Sequence, residues 1–399
     1  MNRPASTVNM TIYGMFEPIE KIFLVTMAGL LQLSVVLAVT TFRADAQEQP
    51  ALGEAGNPFA ACGVFTLERP ISGELLAVGD TVIFTDDAGT VNAVDVGSRT
   101  LAWKAELGGT TASNLLQWSE RIFFVTNSGG TDTNDKKTSQ LREINPVTGL
   151  PSRSISLSSA DRFHLAVSDE GLVIVGDDGS VILMSAASQE PVWRIAIPVE
   201  GPFHTTVSGG VLWMVNRSGI FSSISLSERK IIAQGSLGRD IRSIAADTEH
   251  GIFVSDNGGG VSRVASSEGR PSWKFKAGAA VTGIGVSKDE IYLTSLDNFV
   301  YKLSAGSGDV IWRRRVPNRV IIPAAIAENA IFVSGIGDDE VFAIDRSRGA
   351  VVNRLPLGEN MTLAGPVILP GNGLLAVPLL SSITFFSEGR CGGQEAAAN

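Results

Sequence analysis

Beyond its N-terminal segment, the chain alternates short apolar runs with turn-forming residues and shows almost no helical periodicity. Gly171-Leu-Val-Ile-Val-Gly176 is followed by Asp177-Asp-Gly-Ser180, and Glu290-Ile-Tyr-Leu-Thr294 is followed by Asp297-Asn298. Runs of β-branched and aromatic residues bounded by Gly, Asp and Asn are typical of short strands joined by hairpin turns. The pattern therefore predicts an all-β fold.

One strand pattern recurs along the chain at a nearly constant interval, and each copy ends in a residue that we call the anchor. The anchors are Asp95, Asn145, Ser185, Ser225, Ala265, Ser304 and Asp345, and successive anchors are 50, 40, 40, 40, 39 and 41 residues apart. The long first step contains a polar insertion over residues 129–138. Four short strands in each such unit are typical of propeller blades. Two packed β-sandwiches would also give many strands, but they would not repeat the same strand pattern at a constant interval along the chain.

Tryptophan and glycine stand at fixed distances after the anchors. Position anchor + 8 holds Trp103, Trp193, Trp273 and Trp312, and position anchor + 4 holds Gly149, Gly269, Gly308 and Gly349. The line from Val91 to Trp103 resembles the PQQ-type propeller repeat, whose strand carries Ala-x-Asp, a Gly turn and then Trp. The resemblance covers about residues 64–390, and it implies an eight-bladed β-propeller of four-stranded antiparallel blades.

This family includes quinoprotein dehydrogenases and the outer-membrane β-barrel assembly lipoprotein, so the repeat indicates the fold more than the function. Because the four Trp recur with the repeat, we expect them to pack blade against blade rather than to form a ligand cage. Three units carry Arg153, Ala233 or Asn353 at anchor + 8 instead. We expect looser packing between blades at those units.

The two chain ends supply the eighth blade. Ile383-Thr-Phe-Phe-Ser387 reaches the anchor position of a last unit, and Gly63-Val-Phe-Thr-Leu67 resembles an outer fourth strand that precedes the first full unit. Joining them closes the ring with strands from both termini. Cys62 and Cys391 flank the place where a turn is missing, which predicts a disulfide between them in an oxidising compartment; two unrelated free thiols are the alternative.

The N-terminal segment has the pattern of an export signal. Residues 22–42 form an uncharged apolar run, and Ala44-Asp45-Ala46 follows as a cleavage pattern. We expect a signal peptide over 1–46, a linker over 47–61, the propeller over 62–391 and a disordered tail over 392–399. The alternative is an uncleaved membrane anchor over 22–42. The protein is thus expected to be periplasmic or secreted, or else anchored and facing the non-cytoplasmic side.

The net charge argues against nucleic-acid binding, and the cysteine content excludes a four-Cys zinc site. Lys and Arg total 32 against 41 Asp and Glu, which gives a net charge of −9. A nucleic-acid-binding protein carries a basic footprint, so we expect no nucleic-acid partner. Two cysteines are too few for a four-Cys zinc site, and the sequence assigns no metal.

A ring of polar residues is the candidate ligand site. The first strand of each blade lines a propeller's channel, and aligning the units places there Glu74, Asn114, His164, His204 and Arg242, followed by Gly283, Pro323 and Pro366. Such a group of side chains can hold an anion, a metal or a cofactor; a water-filled channel without a ligand is the alternative. His250 is expected to lie in a turn without a functional role.

The resemblance leaves two classes of function open. We expect an exported, monomeric, non-catalytic scaffold that binds another protein and uses no cofactor, and we assign no catalytic residue. The alternative is a quinoprotein dehydrogenase that holds PQQ with calcium above the channel, or a propeller that binds a small ligand there. Such dehydrogenases carry two adjacent cysteines, whereas the two cysteines of this sequence are far apart along the chain.

Overall fold

The computed structural model describes residues 59–129, 137–198, 201–238, 240–247, 249–264, 269–335, 337–358, 364–369 and 373–388. These residues form antiparallel β-strands arranged as an eight-bladed β-propeller of four-stranded sheets, and they contain no helix. No helix long and apolar enough to cross a bilayer therefore occurs in these ranges. The expected signal peptide, its alternative as an anchor over 22–42, and the tail over 392–399 lie outside them.

The first four blades follow the chain in order, each with its strands arranged from the channel outwards. Blade 1 comprises β2 (Ile71–Val78), β3 (Thr81–Asp86), β4 (Thr90–Asp95) and β5 (Thr100–Glu106). Blade 2 comprises a first strand split into β6 (Thr110–Thr111) and β7 (Leu116–Trp118), then β8 (Arg121–Ser128), β9 (Thr138–Ile144) and β10 (Pro151–Leu157). Blade 3 comprises β11 (Phe163–Ser168), β12 (Gly171–Gly176), β13 (Ser180–Ser185) and β14 (Pro191–Ala196). Blade 4 comprises β15 (Phe203–Ser208), β16 (Val211–Asn216), β17 (Ile220–Ser225) and β18 (Lys230–Ser236).

The remaining blades complete the ring. Blade 5 comprises β19 (Ile241–Asp247), β20 (Gly251–Asp256), β21 (Gly260–Val264) and β22 (Pro271–Lys276). Blade 6 comprises β23 (Val281–Ser287), β24 (Glu290–Ser295), β25 (Phe299–Ser304) and β26 (Val310–Arg315). Blade 7 comprises β27 (Ala325–Ile326), β28 (Ala330–Val333), β29 (Glu340–Asp345) and β30 (Val351–Pro356). Blade 8 comprises β31 (Val367–Leu369), β32 (Leu374–Pro378), β33 (Ser382–Glu388) and the N-terminal strand β1 (Phe59–Thr66).

Closure of the ring by strands from both termini is confirmed, because β1 pairs antiparallel with β33 in blade 8. The pairing starts at Phe59, so the last three residues of the expected linker lie in the sheet. Cys62 lies at a bulge of β1 between Ala61 and Gly63. The expected disulfide stays a prediction, since Cys391 lies outside the described residues.

The core lies between the blades rather than within them. One cluster joins Val173 and Leu183 of blade 3 to Leu212 and Met214 of blade 4, all of them buried. Each blade thus buries both of its faces against its neighbours, which explains why the second and third strands are continuous apolar runs.

A bulge between the third and fourth strands directs the anchor + 8 side chain towards the next blade. In blade 1, Ala93 pairs with Trp103 but Val94 pairs with Leu101, so Ala102 is left over. The same irregularity occurs at the corresponding place in blades 2 to 7. An extra residue bends the strand and re-aims its neighbour.

Three of the expected tryptophans make the same contact with the following blade. The indole nitrogens of Trp103, Trp273 and Trp312 donate hydrogen bonds to Pro146 O, Ala305 O and Arg346 O at 2.9–3.0 Å. Each acceptor directly follows an anchor of the next blade. Trp193 is half-buried against the cluster between blades 3 and 4.

Units without Trp are not loosely packed, which corrects the expectation from the sequence. Arg153 of blade 2 forms a 2.6 Å ion pair with Glu190 of blade 3. Asn353 of blade 7 is buried and donates to Phe59 O of blade 8 at 3.1 Å. Next to Ala233, the Phe221 ring lies beside Gly269 of blade 5. Polar bonds or another aromatic ring thus replace the missing indole.

The anchors fix the turn that leads to the fourth strand. Asp345 Oδ1 accepts hydrogen bonds from the backbone N–H of Ser347 and Arg348 at 3.0 and 2.8 Å, and Asn145 Oδ1 accepts the equivalent pair in blade 2. At all seven anchor + 4 positions the backbone is left-handed, with φ between +56° at Gln189 and +78° at Gly308. Glycine suits such a position because it has no Cβ.

Candidate functional site

The first strands of neighbouring blades contact one another around the ring and enclose the central channel. Contacts run from β15 to β19, from β19 to β23 and on through β27 and β31 to β2. Two connected cavities, of about 800 and 570 Å³, lie along these strands. The channel is therefore a concave surface that offers room for a ligand.

Glu74 faces both cavities because its strand is irregular. The register of β2 against β3 shifts between Ser72 and Leu76, so the residues between them leave the ladder. Glu74 is exposed there and lines both cavities. A bulge in an inner strand thus presents a carboxylate to the channel.

Asn114 has a structural role as well as its place in the channel wall. It lies in the break between β6 and β7, where its Oδ1 accepts from Leu165 N at 3.0 Å and its Nδ2 donates to Leu165 O at 3.2 Å. This reciprocal pair of bonds replaces strand pairing and ties blade 2 to blade 3. Both polar groups of the amide are therefore already engaged.

His164 lies in β11 and lines the smaller cavity. Its Nε2 lies 3.7 Å from Asp177 Oδ1, too far for a direct hydrogen bond, and has no other partner among the described residues. Burial would raise the pKa of Asp177, but His164 and the backbone N–H of Phe203 more than offset that effect and lower it. The buried imidazole nitrogen therefore keeps unused hydrogen-bonding capacity.

His204 and Arg242 do not line either cavity. The pKa of His204 is lowered because burial and the nearby His164 both disfavour its charged form, so the imidazole is neutral at pH 7. A register shift between Ile241 and Ser243 takes Arg242 out of the ladder, and its guanidinium donates to Asn257 Oδ1 at 3.2 Å. Of the five residues expected to form the ring, three line the cavities and two, His204 and Arg242, do not.

Arg162 lines both cavities, although the alignment of the repeat units did not place it among the channel residues. It precedes β11 and stands two residues before His164, so the alternation of side chains along a strand would have placed both on one face. The opposite side of the larger cavity is apolar, with Pro323 and Pro366 as expected. The channel is therefore polar and charged on the side of blades 1 to 3 and apolar on the side of blades 7 and 8.

Comparison with known proteins supports the PQQ-type resemblance. Residues 241–367 match a family model described as outer membrane protein assembly factor BamB. A computationally designed protein, Ika8, has a similar structure, with a TM-score of 0.67 and 11% identity over 81% of this chain and 98% of that one. The crystal structure of BamB from Moraxella catarrhalis is also similar, with a TM-score of 0.60 and 14% sequence identity over 82% of this chain and 97% of that one. None of the curated proteins matches this sequence significantly. At these identities the structural likeness bears on the fold alone.

Proposed function

We propose that this PQQ-type β-propeller is an exported, non-catalytic scaffold that binds another protein of the cell envelope or the extracellular space. The matched family model carries the description of an assembly factor, and from it we take only the general role of binding a protein. The observation that carries the proposal is an apolar turn on the rim of the ring, over residues 145–150 between β9 and β10.

Val147 and Leu150 project from this turn and are 80% and 66% exposed. The corresponding turns of the other blades have small or polar residues at both positions. At anchor + 2 these are Gly97, Ala187, Ser227, Ser267, Gly306 and Ser347, and at anchor + 5 they are Thr100, Glu190, Lys230, Arg270, Asp309 and Ala350. The repeat therefore does not require large apolar side chains there, and their exposure favours a contact with a partner.

Hydrogen bonds hold the backbone of this turn in place. Asn145 accepts hydrogen bonds from Val147 N and Thr148 N at 2.8 and 3.1 Å, and the Trp103 indole donates to Pro146 O at 2.9 Å. Side chains on a fixed backbone lose little conformational freedom on binding, so more of the contact energy remains as affinity.

Cross-linking followed by affinity purification from the native envelope or secreted fraction tests the proposal. The wild type should recover a discrete protein partner, and the Val147→Ser/Leu150→Ser variant should lose it. Val310→Ser/Ile311→Ser is the matched control, because those side chains are 46% and 51% exposed on the outer strand of blade 6. Absence of any discrete partner, or equal recovery by both variants, contradicts the proposal.

We propose that the channel takes no calcium-bound quinone. Calcium takes six to eight oxygen ligands, whereas Glu74 and Asp161 are the carboxylates that line these cavities among the described residues. Asp161 pairs with Lys137, and Arg162 adds a positive charge to the same cavity wall. We derive no redox step, and we expect added PQQ with calcium to leave both the absorbance of the quinone and the thermal midpoint of the protein unchanged.

A further inference from the structure

A histidine and three carboxylates meet where the first hairpins of blades 5 and 6 lie side by side. His250 follows β19 in the turn to β20, and its side chain is only 12% exposed. Asp289 lies in the turn between β23 and β24 and is 83% exposed. Ligand atoms of Glu249, His250 and Asp289 all lie within 4.8 Å of one another. No other group of three His, Cys, Asp or Glu residues comes so close together in the described ranges.

Hydrogen bonds determine which imidazole nitrogen is available. His250 Nδ1 lies 2.9 Å from Asp247 Oδ1. That oxygen also accepts from the backbone N–H of Glu249 and His250 at 2.8 and 3.0 Å, and it can only accept. Nδ1 therefore carries the proton, and in the neutral ring Nε2 carries the lone pair. A carboxylate behind the opposite ring nitrogen is the usual support of a metal-binding histidine.

The free nitrogen faces a second acceptor. His250 Nε2 and Asp289 Oδ1 are 3.3 Å apart, and either a proton on Nε2 or a cation held between the two atoms relieves the repulsion between a lone pair and a carboxylate at that distance. Ligands bound tetrahedrally at about 2.0 Å are about 3.3 Å from one another, which is the distance expected around zinc. Glu249 supplies a third ligand atom within 4.8 Å of the other two.

We propose that the first hairpins of blades 5 and 6 bind a zinc ion through His250 Nε2 and the carboxylates of Glu249 and Asp289, with water completing a tetrahedral site. Nitrogen and carboxylate oxygen are established zinc ligands, and three protein ligands leave one position open. The ion would join two adjacent blades at hairpins that line neither channel cavity and lie away from the rim turn.

The propeller itself does not require these residues. The corresponding hairpins carry Asp169-Glu170 in blade 3 and Gly209-Gly210 in blade 4, without an imidazole. Arg263 holds the backbone of the turn in place by donating to His250 O at 2.7 Å. This bond to the backbone of the hairpin does not depend on the His250 imidazole.

Isothermal titration of the full chain with zinc chloride, after removal of metals by a chelator, tests the site. The wild type should bind one zinc ion saturably, and magnesium should not compete because it prefers octahedral oxygen ligands. His250→Gln and Asp289→Asn should abolish this binding. Asp247→Asn, which changes only the support of the ring, should weaken it by about 10- to 100-fold.

Asp169→Asn is the matched control, since it removes an exposed carboxylate from the same hairpin of blade 3, and it should bind zinc like the wild type. Circular dichroism in chelator shows whether each variant is folded; Asp289→Asn keeps the test valid even if His250→Gln unfolds, because Asp289 is at the surface. The proposal is overturned if the wild type binds no zinc at millimolar concentration, or if Asp289→Asn binds it as tightly as the wild type. Loss of the partner in the cross-linking experiment does not affect this outcome, so the two proposals fail separately.

Discussion

Gly349→Ala tests how the blades pack against each other. Gly349 has φ of +66°, and a Cβ built there would lie 2.6 Å from Cδ2 of Trp312 in the preceding blade. The left-handed backbone costs a residue with a Cβ about 1–2 kcal/mol, and forcing extra volume into a packed contact costs about 1–3 kcal/mol more. We expect the free energy of unfolding to fall by about 2–5 kcal/mol in total. Guanidinium denaturation followed by tryptophan fluorescence measures it.

Two further variants separate the two contributions. Gly79→Ala changes a glycine with φ of +56° and no atom within 4 Å of the added Cβ, so it should lose only the backbone part, about 1–2 kcal/mol. In a Trp312→Ala background the clash is removed, and Gly349→Ala should then cost no more than Gly79→Ala. The packing rule is refuted if Gly349→Ala and Gly79→Ala cost the same in the wild-type background, or if Trp312→Ala leaves the difference unchanged.

Three other substitutions probe the anchors, the left-handed turns and a buried ion pair. Burial would raise the pKa of Asp345, but bonds from Ser347 and Arg348 lower it to about 2. Its folded-state pKa therefore lies below the unfolded one. Asp345→Asn should then cost on the order of 2 kcal/mol above about pH 4 and progressively less towards pH 2; equal losses in denaturation at both ends of that range contradict this. Arg229→Gly should raise the thermal midpoint by relieving about 1 kcal/mol of strain at φ of +56°, and a midpoint at or below that of the wild type argues against it. Glu290→Gln should cost about 3 kcal/mol, because it leaves Lys302, only 6% exposed and 2.5 Å from Glu290, without its counter-charge. Adding Lys302→Met should recover part of that loss, and no recovery would count against the pairing.

The repeat made the fold predictable from the sequence, because each unit obeys the same local rules. Trp103, Trp273 and Trp312 recur eight residues after their anchors and make the same hydrogen bond. The sequence could not show that Arg153 and Asn353 also bond one blade to the next. Their partners, Glu190 and Phe59, become neighbours only once whole blades are stacked.

The candidate site was predictable only in part, because bulges change which side chains face the channel. An alignment by period places Arg242 in the ring, but the shift in β19 turns it towards Asn257. Glu74 reaches both cavities through a similar irregularity in β2. His250 carried no signal in the sequence, since its carboxylate partner Asp289 belongs to another blade.

Pairing of β1 with β33 also determines the order in which the ring can form. Phe59 pairs with Glu388, so the strand that leaves the ribosome first waits for almost the whole propeller to be synthesised before it finds its partner. Until then β1 and the open side of blade 8 are unpaired edges, which are the places where incomplete β-proteins associate wrongly. Contacts this distant in sequence also form slowly. The native ring can therefore close only after β33 has been synthesised.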